Sequence, residues 1–279
     1  MSHRSLSVII TCKNEEKNIR NCIESVLKIA DELIIADSGS TDRTKKIASE
    51  YDCRIIEREY ISAGNFKNWA LPQAKNDWVM IVDADERVSP ELSDEIQELL
   101  LSEPKFDGYI IFRKNHIYGH HVKYSGWGTD KVLRLFKRDL SRYKDMRVHS
   151  EVVVKTGRVS RLKGKLLHYP FWNLHQVMQK HEMYVTWAAQ DLWDKGKRAN
   201  FLNLTFRPCW RFFRHYIIKR GFLDGMPGLI VSGISMYYVF LKYVKLWEMQ
   251  HGQHQPDPEP QSKQEALSSP LNPIYADKQ

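Results

Sequence analysis

The feature that most constrains this chain is an alternation near its start. Leu6–Thr11 (LSVIIT), Glu32–Asp37 (ELIIAD), Cys53–Glu57 (CRIIE) and Trp78–Val82 (WVMIV) are short apolar runs of strand length. Between them lie stretches with helical spacing. Ile19, Cys22, Ile23, Val26 and Leu27 share one face; a segment from Thr41 to Tyr51 has Ser40 or Thr41 as its N-cap; a third, Phe66 to Ala74, should end or bend at Pro72. After the fourth run, Ser89-Pro90-Glu91 opens a helix, with a capping hydroxyl, proline in the first turn and an acid at the positive end. Strands joined by helical crossovers lie parallel, so the pattern predicts an α/β fold with helices on both faces of the sheet.

In such sheets ligands bind beyond the carboxyl ends of the strands. Three of those ends are polar: Thr11-Cys12-Lys13-Asn14-Glu15, Asp37-Ser38-Gly39-Ser40 and Asp83-Ala84-Asp85. A parallel sheet brings all three to one edge. In an extended strand Asp83 and Asp85 point to the same side, and carboxylates that close need a cation or hydrogen-bond donors. A D-x-D pair suits Mg²⁺ or Mn²⁺, which would neutralise a diphosphate leaving group. The plain alternative is that carboxylates are common at strand ends and helix starts. Asp37 stands where nucleotide-binding α/β folds often place an acid against a ribose or base, and the backbone around Ser38 can serve the same ligand. DSGSTD also reads as a mere turn and helix cap. No G-x-G-x-x-G follows the first strand and no G-x-x-x-x-G-K-[ST] occurs, which argues against dehydrogenases and P-loop NTPases.

After residue 104 the alternation fades. Gly108–Arg113, Lys131–Phe136 and Glu151–Lys155 read as strands, with the aromatic, glycine-bearing IYGHHVKYSGWGTD among them, and a helical pattern resumes from Trp172 to Lys195. The expected units are 1–104, the alternating α/β half; 105–200, a second, more irregular half that completes a site; 201–250, an amphipathic helical region; and 251–279, a Gln-, Pro- and Ser-rich disordered tail. Within 201–250, Arg207, Arg211, Arg214, Lys219 and Arg220 interleave with Trp210, Phe212, Phe213 and Tyr216. That mixture suits a helix lying in a membrane interface; a core helix with solvated basic residues is the alternative. The net charge of +8 asks for anionic partners without choosing among them. No recognised nucleic-acid motif supports an RNA or DNA partner. Cys12, Cys22, Cys53 and Cys209 are scattered, so reduced thiols are expected and not a zinc or disulfide framework. The N-terminal residues show no secretory pattern, and a cytoplasmic chain is expected.

SVIITCKNEEKNI, ELIIADSGSTDRT and WVMIVDADE, in that order, resemble the nucleotide-sugar-binding half of family 2 inverting glycosyltransferases, which have the GT-A fold. WGTDKVLRLFKRD, VHSEVVVKTG, LLHYPF and GFLDGMPGL resemble one branch, the bacterial lipopolysaccharide inner-core heptose β-1,4-glucosyltransferases. The resemblance implies a divalent cation, a nucleotide-diphospho-sugar donor such as UDP-glucose, and a lipid-linked saccharide acceptor reached peripherally on the cytoplasmic face of the inner membrane. It implies that Thr11, Asn14 and Glu15 line the nucleotide pocket and that Asp37 contacts base or ribose. Asp83 and Asp85 would bind diphosphate and metal, Asp85 most directly, with His168 a further ligand. Inversion needs a general base; Glu151 is the first choice, with Asp145 and Asp130 as rivals. The branch places His directly before Glu, whereas here Ser150 separates His149 from Glu151. Arg134, Arg147 and His149 would contact the acceptor, and Trp127 would offer its face to a sugar ring. A nucleotidyltransferase, or a non-catalytic membrane module with a nucleotide pocket, are the alternative readings.

Overall fold

The computed structural model describes residues 4–144 and 151–252. β1 (Leu6–Cys12), β2 (Glu32–Asp37), β3 (Arg54–Glu57) and β4 (Trp78–Asp83) pair in parallel in the order β3-β2-β1-β4, with Val8 between Leu33 and Met80. Helices cover both faces. Val8, Ile10, Met80 and Val82 join one core with Ile19, Ile23 and Val26 of α1 (Ile19–Val26). Ile9, Ile34 and Ile81 join another with Phe66 and Ala70 of α3 (Ala63–Ala70). Strands buried on both faces need apolar residues at every position, which is why these runs are continuous instead of alternating.

The first helices differ from expectation at their ends. α2 (Thr44–Ala48) is shorter than the 41–51 segment, and neither Ser40 nor Thr41 caps it. Ser40 gives its hydroxyl to Asp37, while Asp42 Oδ1 accepts the Thr44 N–H at 2.9 Å. α3 begins earlier, capped by Ser62, and passes at Leu71–Gln73 into a 3-10 turn containing Pro72. α4 (Pro90–Leu101) starts as expected, with Ser89 Oγ accepting the Leu92 N–H at 3.3 Å.

Beyond β4 the sheet is mixed. The chain turns at Ala84–Asp85 and re-enters the sheet as β5 (Glu86–Val88), antiparallel to β11 (Val159–Phe171). The two-residue period therefore does not carry through from Asp83 to Asp85. β6 (Gly108–Ile117) hairpins onto β7 (His120–His121), and β8 (Lys131–Lys137) lies antiparallel between β4 and β6. β11 runs parallel to β6, giving the full order β3-β2-β1-β4-β8-β6-β11-β5. The strand expected at Glu151–Lys155 is β10 (Val152–Val154), which pairs with β9 (Ser141–Tyr143) in a separate ribbon.

α5 (Leu174–Asp194), α6 (Phe201–Leu204), α7 (Phe206–Phe213) and α8 (Met226–His251) follow, with a π turn at Arg214–Ile218 and a 3-10 turn at Gly221–Asp224. Ala189 of α5 packs on Val239, Tyr243 and Leu246 of α8. α8 is long and apolar enough to cross a membrane, by length and composition. It runs unbroken through Gly228, where a Cβ would fall 1.9 Å from the Gly221 carbonyl. This glycine, an apparent interruption in the sequence, marks a close backbone approach. From residue 253 the tail lies outside the described residues.

Candidate active site

The ends of β1 and β2 are held together by one carboxylate. Asp37 is fully buried. Its Oδ1 accepts the N–H groups of Gly39 (2.8 Å) and Ser40 (2.7 Å), and its Oδ2 accepts the Ser40 hydroxyl and the Cys12 thiol (3.4 Å). Gly39 makes the turn at φ +92°, a region that favours glycine. Ser38 is also buried and donates its hydroxyl to the Cys12 carbonyl at 3.2 Å. Both Asp37 oxygens are thus engaged in shaping the loop at the edge where a nucleotide contact is expected. Asn14 sits at φ +53°, its N–H donating to Ser40 Oγ (2.9 Å) and its Oδ1 accepting from the Thr41 N–H (2.8 Å). Thr11, Asn14 and Glu15 remain at the open edge. Burial and then the Asp85 charge raise the Glu15 carboxyl to about 7, against the opposing pull of Lys180 and Asn18.

At β4, Asp83 faces the protein's own cations. Its Oδ1 lies 2.6 Å from Lys67 Nζ and accepts the Thr11 hydroxyl at 2.8 Å; its Oδ2 accepts from Arg134. Glu86, fully buried, takes Arg134 at 2.7 Å and Arg113 at 3.0 Å on Oε1, and the Asp83 N–H at 3.0 Å on Oε2. Arg113 continues to Asp130 at 3.5 Å. Burial alone would raise the Asp83 carboxyl, but Arg134 and Lys67 outweigh it and hold it well below the usual range. Arg134 departs from its expected acceptor role, because its guanidinium is buried and engaged with Asp83 and Glu86.

Asp85 has a different environment. Its Oδ1 is 3.6 Å from His168 Nε2 and its Oδ2 3.4 Å from Lys180 Nζ. Burial pushes this carboxyl up; His168 and Lys180 together bring it below its ordinary value. His168 Nδ1 is 2.6 Å from Asn115 Oδ1, its neighbour across the β6–β11 register. Asn115 directs its amide hydrogens to the Trp127 carbonyl (2.8 Å) and Asp130 Oδ2 (3.3 Å), so its oxygen faces the imidazole. Nδ1 then carries a proton, which leaves Nε2 as the ring nitrogen facing Asp85. A carboxylate beside an imidazole oriented through its other nitrogen fits a divalent cation. Among the described residues no three His, Cys, Asp or Glu side chains gather as a metal cluster. Asp85 and His168 would hold such an ion, with phosphate and water completing its shell; Asp83 is occupied by Lys67 and Arg134.

The remaining candidates scatter. Glu151 precedes β10, with its side chain 71% exposed and 3.1 Å from Lys144. Asp130 ends the Arg113–Asn115 relay. Trp127 packs with Ile117, Val122 and Val231, and its carbonyl, not its ring, meets Asn115. The loop around it is fixed by Asp224, which accepts the Lys123 (3.1 Å) and Tyr124 (2.7 Å) N–H groups. Asp145, Arg147 and His149 lie outside the described residues. Lys67, Glu86, Arg113, Asn115 and Lys180 escaped the sequence reading. Glu86 adjoins the D-x-D pair and Lys67 lies on the buried side of α3, so a charge amid apolar helical positions was the available signal; Lys180 offered none.

Residues 7–156 match the family described as Glycosyl transferase family 2. The lipopolysaccharide core biosynthesis glycosyltransferase LpsC of Rhizobium meliloti is 31% identical over 250 residues, covering 87% of this chain and 92% of that protein. An uncharacterized glycosyltransferase of Rickettsia typhi is 30% identical over 257 residues, covering 88% of each. Among solved structures, glucosyl-3-phosphoglycerate synthase from Mycobacterium tuberculosis, in complex with Mn²⁺, UDP-glucose and phosphoglyceric acid, aligns with a TM-score of 0.48 and 19% identity, over 71% of this chain and 82% of that one.

Proposed function

The chain belongs to glycosyl transferase family 2, and on that premise we propose that it moves a hexose, glucose from UDP-glucose, with inversion to a lipid-linked saccharide such as the lipopolysaccharide inner core. The observation that carries this reading is the half-buried Asp85–His168 pair, 3.6 Å apart, at the edge where β1, β2 and β4 end. A relative of nearly the same length, named for lipopolysaccharide core biosynthesis, supports the acceptor class.

A Mg²⁺ or Mn²⁺ ion held by Asp85 and His168 would supply neutralisation of the leaving diphosphate. The chain's own groups do the rest. Lys67 and Arg134 keep Asp83 ionised, and Asp83 in turn fixes the Thr11 hydroxyl at the mouth of the nucleotide pocket. Asn14 and Glu15 line that pocket beside it. In the transfer, an acceptor hydroxyl oxygen bonds to the anomeric carbon, the bond to the diphosphate breaks with its electron pair leaving on UDP, and the hydroxyl proton passes to a carboxylate. Glu151 is the first choice for that base, with Asp130 and Asp145 as rivals. A lipid-linked acceptor places the reaction at a bilayer, and we assign the basic, aromatic surface of α7 and α8 to the anionic cytoplasmic face of the inner membrane.

Calorimetry with UDP-, GDP-, ADP- and CMP-sugars, each with Mn²⁺ and with chelator, tests the reading on wild type and Asp85→Asn. Metal-dependent binding of UDP-glucose, lost in the variant, is expected. A folded wild-type chain that binds none of the four would overturn the proposal.

A further inference from the structure

The two carboxylates of the D-x-D pair hold their cations with unequal firmness. At Asp83, Lys67 stands 2.6 Å away with 12% of its side chain exposed. At Asp85, Lys180 stands 3.4 Å away with 36% exposed. Lys180 Nζ is also 3.3 Å from the Pro170 carbonyl and 5.5 Å from the Phe171 ring centre. Charge-assisted bonds to an ammonium settle nearer 2.8 Å, so Lys180 is loosely seated. It also arrives from α5, outside the sheet, on a flexible four-carbon stem that can swing while the helix stays in place. A divalent cation approaching Asp85 repels this ammonium; a diphosphate brings negative charge to the same corner.

We propose that Lys180 is the counter-ion of Asp85 in the free enzyme, that a divalent cation displaces it from the carboxylate, and that the displaced ammonium then binds the donor's diphosphate. This inference deepens the proposed function and rests on its assignment of Asp85. The two roles have opposite signs. Against the metal Lys180 competes; toward the donor it attracts. A residue that merely packed α5 onto the domain would not separate them.

The test uses the full chain as wild type, Lys180→Met and Lys180→Arg. Mn²⁺ binding is followed by electron paramagnetic resonance without nucleotide, and UDP binding by calorimetry at saturating Mn²⁺. Lys180→Met keeps the apolar stem and is expected to bind Mn²⁺ about threefold to tenfold tighter and UDP about tenfold weaker. Lys180→Arg should keep both constants near wild type. If wild type binds both ligands and Lys180→Met leaves both constants unchanged, or moves them in the same direction, the Lys180 inference is overturned while the donor reading stands. If wild type binds Mn²⁺ but not UDP, the donor reading itself falls.

Discussion

At the scale of single residues, two aspartates separated by one alanine have come to opposite duties. Asp83 is an anion already paired within the fold, with Lys67, Arg134 and Thr11. Asp85 is the one left with exchangeable partners. Asp85→Asn is therefore expected to lower turnover on the order of a thousandfold while leaving the melting temperature nearly unchanged; a transfer assay paired with a thermal melt checks both halves. Glu86→Gln should show the reverse emphasis. It leaves Arg134 and Arg113 facing a neutral group in the interior, which costs about 3 kcal/mol, or roughly 10 °C of melting temperature. Asn115→Ala removes the group that sets the His168 tautomer, and a roughly 10- to 100-fold loss of Mn²⁺ affinity is expected. Unaltered Mn²⁺ titrations of that variant would exclude His168 as an oriented ligand.

At the scale of elements, the helix starts separate local from distant causes. Ser89 caps α4 through the Leu92 N–H, remote from the chemistry. Ser89→Ala should cost about 1 kcal/mol of stability with kcat preserved. The π turn after α7 carries a different liability. His215 is buried, its Nε2 3.3 Å from Arg211 Nη1, and burial, then Arg211, Lys219 and Arg214, push the imidazole down to about 4. The unfolded chain therefore takes up a proton that the folded chain refuses. Stability from this group is complete above about pH 6.5 and is lost as pH falls toward 4, by up to about 3 kcal/mol. Urea melts across that window should show a slope in wild type that is reduced in His215→Gln. Equal slopes in the two proteins would remove His215 as the cause.

At the scale of the whole molecule, the surface is divided. Phe206, Trp210 and Phe213 are exposed along one side of α7 with their rings stacked in sequence, and Ile218, Leu223, Met226 and Phe240 are exposed nearby. Residues 201–247 hold seven Lys or Arg against one Asp, so this stretch carries a strongly positive balance. Such a surface is expected to bind vesicles containing acidic phospholipid, to bind zwitterionic vesicles weakly, and to release as salt rises. Replacing Arg211 and Arg214 by Gln should cost about 1 kcal/mol of membrane affinity each, read by vesicle sedimentation. The proposed membrane-facing region is tied to the candidate site, since Asp224 holds the loop whose Trp127 carbonyl orients Asn115.

The sequence by itself determined the four parallel strands, the α4 cap and the convergence of polar residues at one sheet edge. These depend on periodicity and turn chemistry within short windows, so they can be read where they are written. Tertiary structure alone decided what the polar residues do. β5 is three residues long and exists because β11 lies beside it. Arg134 reaches Glu86 across 48 positions, and Lys180 reaches Asp85 across 95. Asp37 stands at a strand end, and the loop after it folds back to bond both of its oxygens. Ion pairing follows distance in space, and no local pattern records which distant cation a carboxylate will meet.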